Sequence, residues 1–445
     1  MSAELVTIIA IVVFLVLLLI EVPVAWALGI SGVIGVVMLN SFKVASSVLA
    51  SVPFESTAKY SLIVIPMYIL LGTFTMNAGI AERLYDVASR ALRRVPGGIG
   101  IATVAAGAGF AAVSGSSVAT AATIGRVSVR QMERHGYRPS LAAGIVAISA
   151  TLGILIPPSV VLVIYAILSG ESVARLFAAG IIPGIISALA YMVTILILAK
   201  MKGNITPPAE LPAATMAPTQ QDRFGGVRSI AFILAIFLTV MVGLYSGIMT
   251  PTESAAIAAL LGLVVLVIER RKDPGRKRWG TIFRSMSEAS GVTSMSFGIL
   301  IGASVFTYFL VSARVPFNIA QAISSLEVAP LTIVALILLA TIPLGMFLDS
   351  MSILVIVVPL TYPALTALGL DGVWYGILLV KMIEISLITP PVGMNAFVIS
   401  AASGVKLESV FRGSIPFIAC ELVLVAILLF FPDIVLFLPD LLAGT

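Results

Sequence analysis

An all-α protein that crosses a membrane many times is the fold class this sequence predicts, on three observations. First, 60% of the 445 residues are hydrophobic and 11% are charged, whereas a soluble domain carries about 25% charged residues. Second, the apolar sequence falls into helix-length segments, and the basic residues sit in the short loops between them. That is the positive-inside pattern, not a nucleic-acid surface. Third, one composite pattern occurs twice. SGSS (Ser114–Ser117) precedes a proline pair in GILIPPS (Gly153–Ser159), and LDSMS (Leu348–Ser352) precedes a second pair in SLITPPVGMN (Ser386–Asn395). Ser114 lies 43 residues before Pro157, and Asp349 lies 41 before Pro390.

Val6–Ile20 and Val24–Leu39 read as two short spans around Glu21-Val22-Pro23, the first retained because no basic segment precedes it. The stretch from Asn40 to Tyr60 is amphipathic, and Ser61–Ala78 is a span. Ala81–Val95 places Leu84, Val87, Ala88, Ala91 and Val95 on one face and reads as an interfacial helix. Gly97–Gly125 has basic loops on both sides, so it predicts a re-entrant hairpin with its tip at the serines. Ser140–Leu168 is a span broken at Pro157-Pro158, and Leu176–Ala199 is the next span. The Pro-, Thr- and Gln-containing stretch 201–228 is a linker. Ser229–Ser246 and Pro251–Ile268 are spans, and Thr250-Pro251-Thr252-Glu253 has the form of a capping box. Trp279, Ile282, Phe283 and Met286 mark a second interfacial helix before the span Gly291–Val311. After an amphipathic piece, Pro316–Glu327, the segment Ala329–Leu368 reads as a second hairpin. Val373–Ala401 is broken at Pro390-Pro391, and Ser414–Leu438 is the last span.

Loops 82–94, 126–138, 200–228, 269–284 and 403–412 hold 21 of the 26 Lys and Arg residues. Placing them on the cytoplasmic side gives ten full spans, two re-entrant hairpins, two discontinuous helices and both termini outside. The halves then form an inverted repeat, the signature of a secondary transporter with its site near the midplane. The predicted units are scaffold at 1–96, the first half of a transport domain at 97–200, the linker at 201–228, scaffold at 229–328, and the second half of the transport domain at 329–445.

A proline removes the donor for the carbonyl four residues back. The pairs therefore free the carbonyls of Gly153, Ile154, Ser386 and Leu387, and bare carbonyls at bilayer depth need protein, water or a cation. Oxygens at a bend suit a hard cation such as Na⁺, with Ser114 and Ser117 adding hydroxyls at the first break. Gly345, Asp349, Thr389 and Val392 are the candidates at the second. Half-helices starting at the tips and breaks point positive ends at the midplane, where an anion such as a carboxylate is favoured; Ser116, Ser117, Asp349, Ser350 and Asn395 are the candidate substrate contacts. Asp349 could balance a cation, carry a proton or face a wet cavity. Glu384, three residues after Lys381, predicts an intrahelical ion pair, while Glu421 has no assigned partner. One cysteine, Cys420, and one histidine, His135, argue against a disulfide, a cysteine metal cluster or a histidine relay within one chain. No nucleophile or phosphate-loop pattern suggests an enzyme.

Five motifs in order, SGSSVATAATIG, GILIPPS, GIMTPTES, LGMFLDSMSIL and ITPPVGMN, resemble the large membrane subunit of tripartite ATP-independent periplasmic (TRAP) transporters, over essentially the whole chain. The resemblance implies an elevator-type carrier in a bacterial inner membrane, importing a carboxylate-bearing solute with two or more Na⁺ ions. It implies two partners, a small four-span membrane subunit and a periplasmic substrate-binding protein. It places one Na⁺ site at Ser114, Ser117, Gly153, Ile156 and Pro157, and a second at Gly345, Ser386, Thr389 and Val392. Ser386 departs from the glycine expected at that position. The alternative is a self-sufficient Na⁺/dicarboxylate symporter or antiporter of the same superfamily.

Overall fold

The computed structural model describes residues 2–201, 205, 221–325 and 328–443. Among these the chain is helical throughout, apart from an isolated Tyr137–Ile205 bridge. Helices α1 (Ala3–Leu19) and α2 (Val24–Leu39) pack together across the Glu21–Pro23 turn. Ser2 caps α1 through the Leu5 amide, and Glu21 takes the left-handed conformation that turns the chain. Helix α3 (Phe42–Thr57) leads to α4 (Val64–Asn77) and then α5 (Ile80–Leu92). The buried side of α5 is Ile80, Ala81, Leu84 and Tyr85, whereas Ala91 and Val95 are exposed. The apolar face is thus set by the N-terminal half of that helix and includes a tyrosine.

Both predicted hairpins are present. The first is α6 (Gly98–Ser114) with α7 (Ser117–Arg134), and the second is α15 (Pro330–Gly345) with α16 (Ser350–Ala367). Both broken helices are present too. Helix α8 (Pro139–Leu155) and α9 (Val160–Ser169) meet at a 44° bend, and α17 (Gly372–Ser386) and α18 (Met394–Ser403) are separated by a longer irregular stretch. The remaining helices are α10 (Val173–Lys200), α11 (Gln221–Tyr245), α12 (Pro251–Glu269), α13 (Gly275–Ser312), α14 (Val315–Ser325), α19 (Leu407–Phe430) and α20 (Asp433–Ala443). The order hairpin, broken helix, long helix occurs in both halves.

Several boundaries differ from expectation. The second interfacial helix and the following span are one 38-residue helix, α13. A change from basic to apolar sequence breaks no backbone hydrogen bond, and Gly280 and Gly291 are single glycines that a long helix tolerates. Helix α11 starts at Gln221, inside the expected linker; most of the rest of 201–228 lies outside the described residues. The last span starts at Leu407 and stops at Phe430, because Pro432 cannot continue the helix. The apolar remainder forms α20, which packs on α10. Among the described residues seven helices are long and apolar enough to cross a membrane, eight if α8 and α9 count as one span. α16, read as a hairpin arm, is one of the seven, and α1 and α2 are shorter. The chain is a multi-pass membrane protein.

In lipid, helices associate through close backbone approach at small residues, and glycines provide it here. A Cβ on Gly32 of α2 would lie 2.8 Å from Phe306 backbone atoms of α13, and Gly144 of α8 and Gly413 of α19 are in direct backbone contact. Gly413→Leu is expected to drive α8 and α19 apart, with a cost at or above the roughly 1–3 kcal/mol typical of overpacking. A fall in the apparent Tm of the detergent-purified protein would register it.

Three long helices are also tied by charge. Lys381 of α17 pairs with Glu421 of α19, lies 3.6 Å from Glu384, and donates to Ser187 Oγ of α10 at 2.6 Å. Tyr191 of α10 donates to Glu421 at 2.7 Å. Lys381, Glu384 and Glu421 are fully buried. The expected Lys381–Glu384 pair is therefore present, and Glu421 gains its role from a partner 40 residues away in sequence. Breaking a buried pair from one side costs about 3–5 kcal/mol, because a charge is left uncompensated. Lys381→Met is expected to lower thermal stability sharply, and adding Glu384→Gln and Glu421→Gln to recover most of the loss.

Candidate substrate and cation site

A cavity of about 460 Å³ lies where both hairpin tips and both helix breaks converge. Its lining includes Ser114, Gly115, Ser116 and Ser117 from the first tip, Asp349 and Ser350 from the second, Val160 beyond the first break, and Leu387 and Met394 around the second. Helices α4 and α13 close one wall with Thr73, Met76, Glu288, Val292, Met295 and Ser296. Residues more than 270 positions apart thus share one site.

The first tip is built by its own sequence. Ser114 ends α6, Gly115 takes a left-handed conformation (φ 60°), and Ser116 caps α7 by accepting from the Ala119 amide at 3.3 Å. Only a glycine meets both demands at 115, since a Cβ there would also lie 3.0 Å from the Pro158 carbonyl oxygen. The Ser114 and Thr120 hydroxyls are 3.0 Å apart, and Thr120 donates to the Ser116 carbonyl at 2.8 Å. Gly153 fits directly beneath: a Cβ on it would be 2.8 Å from the Ser116 carbonyl oxygen and 3.1 Å from Thr120 Oγ1. Ser114, Ser116, Thr120 and Gly153 are therefore brought together, and Ser117, the next residue after Ser116, lines the cavity beside them. Threonine hydroxyls are common in apolar helices, so only its position six residues past Ser114 could have singled it out. Ile156 ends α8 in an extended conformation with its side chain against Gly184 of α10, leaving only its backbone for a site. The Ile154 carbonyl, expected to be bare, accepts from Ser159 Oγ at 2.6 Å, while that of Gly153 loses its helical donor at Pro157.

The second tip and break are stitched more completely. Asp349 caps α16, accepting from the Met351 amide at 3.1 Å and from the Ser352 hydroxyl. The Gly393 amide donates to the Met346 carbonyl at 3.3 Å and so joins break to tip. The Ser386 carbonyl accepts from the Thr389 amide at 3.1 Å, and the Leu387 carbonyl from the Asn395 amide at 3.0 Å. Both carbonyls expected to be free have amide partners, because the chain loops back on itself over the break; each keeps a second lone pair. Ser386 stands against Gly345, where any Cβ would collide with its hydroxyl, and that hydroxyl donates to the Ile383 carbonyl at 2.7 Å. Thr389 Oγ1 donates to Ile385 at 2.6 Å. Pro390, Pro391 and Val392 are exposed, Val392 by 42%, whereas Pro157 and Pro158 are buried. Around the first break the Gly153 carbonyl lacks its helical donor; around the second the Ser386 and Leu387 carbonyls are each already engaged by an amide.

Four helices begin at the cavity. Ser117, Val160, Ser350 and Met394, the first residues of α7, α9, α16 and α18, all line it. Each N-terminus carries roughly half a positive charge and unsatisfied amides, and among the described residues no Lys or Arg lines the cavity. The arrangement suits a carboxylate held by backbone dipoles. Asn395 is fully buried and neither of its amide atoms has a hydrogen-bond partner among the described residues, though it is not part of the lining. Glu288 escaped the sequence reading because it falls between the expected interfacial helix, which ends at Met286, and the expected span, which starts at Gly291. It accepts from Asn77 Nδ2 at 2.9 Å and from Arg284 Nε at 2.8 Å. Gly153→Ala is expected to push the first tip off the break by its steric demand alone, costing about 1–3 kcal/mol. Thermal unfolding compared with and without Na⁺ would show a loss of stability at both conditions.

Residues 11–434 match the family model described as "Tripartite ATP-independent periplasmic transporter, DctM component". The chain is 35% identical to the C4-dicarboxylate TRAP transporter large permease protein DctM of Pseudomonas aeruginosa, over 93% of this chain and 94% of that one. It is 29% identical to the sialic acid TRAP transporter large permease protein SiaM of Vibrio cholerae, over 86% and 87%. Among solved structures, the YdaH transporter of Alcanivorax borkumensis superposes with a TM-score of 0.64 at 13% identity, covering 87% of this chain and 89% of that one, a likeness of fold.

Proposed function

Since the chain belongs to the DctM-component family of TRAP transporters and is a transporter rather than an enzyme, we propose that it is the Na⁺-coupled transport subunit importing a carboxylate-bearing solute across a bacterial inner membrane. The observation that carries this reading is the convergence of four helix N-termini on one cavity flanked by two proline breaks. The N-termini supply the anion site. The oxygens beside the breaks supply cation sites: Ser114, Ser117, Gly153, Ile156 and Pro157 at the first, and Gly345, Ser386, Thr389 and Val392 at the second. A cation bound there adds positive charge beside the anion, so each ligand strengthens the other's binding, and that mutual gain is thermodynamic coupling.

The two similar permeases are named for a C4-dicarboxylate and for sialic acid, both carboxylates. In the proposed assembly the chain works with a small four-span membrane subunit and a periplasmic binding protein that delivers the solute. The hairpins and broken helices (97–200 and 329–445) form the moving unit; 1–96 and 229–328 form the scaffold, which contributes the α4–α13 wall. This elevator reading is supported by one unit carrying both tips and both breaks. Crosslinks that pin Ser116 to Met295 in every transport state would contradict it.

The decisive experiment is solute uptake into proteoliposomes holding both membrane subunits, with binding protein outside and an inward Na⁺ gradient. Uptake should require Na⁺ and should not be restored by a pH gradient alone. Ser114→Ala is expected to raise the Na⁺ concentration for half-maximal uptake about tenfold, the worth of roughly one lost polar contact. Asp349→Asn keeps a good cap and should leave stability unchanged; altered Na⁺ dependence in that variant would trace to the charge alone.

A further inference from the structure

Helix ends on the basic side enclose a second cavity, of about 740 Å³, remote from the transport site. Its lining carries Arg83 and Arg90 of α5, Arg228 of α11, and Arg271 and Lys272 just beyond α12, against the carboxylates of Asp86 and Glu269. Among the described residues, five cations and two anions line it. The Glu269 side chain is buried and holds two of the cations, pairing with Arg83 and accepting from Arg228 Nη2 at 2.7 Å. That arrangement organises the floor, while Arg271 and Lys272 stand exposed at the rim. Arg228 Nε is buried and has no hydrogen-bond partner among the described residues. Close packing holds the walls, since Gly226 lies directly on Val87 of α5 and Arg270 donates to the Asn77 carbonyl at 2.8 Å. Val227, 65% exposed, puts an apolar surface in the same lining.

We propose that this cavity binds the phosphate of an anionic phospholipid headgroup. Arginine forks suit phosphate oxygens, and basic pockets between transmembrane helices at the membrane surface are where such headgroups lodge. The polar floor takes the phosphate and exposed Val227 takes the start of the glycerol and acyl region. A soluble phosphate shares the chemistry of the headgroup but makes no use of the apolar wall.

The test is native mass spectrometry of the detergent-purified chain titrated with phosphatidylglycerol or phosphatidylcholine. Phosphatidylglycerol should be retained preferentially. Exchanging the exposed pair, Arg271→Gln with Lys272→Gln, should weaken its retention about thirtyfold, on the usual contribution of two basic groups at a membrane surface. Arg228→Gln should do so as well. Because Arg228 also serves Glu269, the exposed pair keeps the test valid if that variant misfolds. Arg126→Gln, an exposed arginine elsewhere on the basic side, should change nothing. Equal loss with Arg126→Gln, or no loss with the pair, would overturn the proposal in favour of diffuse surface attraction. Inorganic phosphate that displaces the lipid completely, at concentrations where sulfate does not, would overturn the lipid as the occupant.

Discussion

A backbone amide or carbonyl without a partner costs several kcal/mol in hydrocarbon, and this chain interrupts its helices four times at the cavity. Every interruption has a local remedy. Ser116, Ser159 and Asp349 cap the helices that follow them, and Ser159 also satisfies the Ile154 carbonyl through its hydroxyl. At the second break the chain loops back instead, so the Asn395 and Gly393 amides reach Leu387 and Met346. Among the described residues only the Gly393–Met346 bond joins a tip to a break; at the first site tip and break meet by close packing, Gly153 lying against the Ser116 carbonyl. The backbone is satisfied mostly within each element, which leaves the tips free to be placed by packing.

The same constraint explains how the cavity can attract an anion without a cationic side chain among its described lining residues. Amides at the start of a helix are already oriented and need no ordering when a ligand arrives. A lysine at the same depth would cost desolvation and compete with a bound cation. Lys381, the one buried lysine among the described residues, lies elsewhere and is neutralised by carboxylates on its own and a neighbouring helix. Glu288, the acid on the α4–α13 wall, is likewise engaged by Asn77 and Arg284.

Much of the fold was legible because membrane helices announce themselves by composition. The hairpins and broken helices were legible because a polar knot followed by a proline pair occurs in both halves, whereas single prolines such as Pro183 and Pro416 sit inside continuous helices. Helix ends were harder to place. Nothing in Glu269–Met286 says that the basic stretch continues into the next span, since charge patterning sets where a helix lies and not where it stops. At the first break, Gly153 lies against Ser116 and Thr120, and Thr120 against Ser114, and Thr120 carried no motif that the sequence reading could use. The carbonyls at the second were misjudged, because the amides that satisfy them come from residues beyond the break, and a linear reading of proline spacing does not see a chain folding back. Glu421 was opaque for a related reason, its partner being supplied by tertiary packing alone.

Helix α13 runs without interruption from Gly275 to Ser312, about 57 Å at the usual rise per residue. Its near end presents exposed Trp279 and Phe283, and its middle carries Glu288, Val292, Met295 and Ser296 into the wall of the transport cavity. No break separates the basic end of this helix from the residues that line the cavity. Tilting a helix of that length by about 5° moves one end sideways by about 5 Å while barely changing the height it spans. A sideways push at the exposed aromatic end is therefore carried by one continuous element to the wall of the cavity.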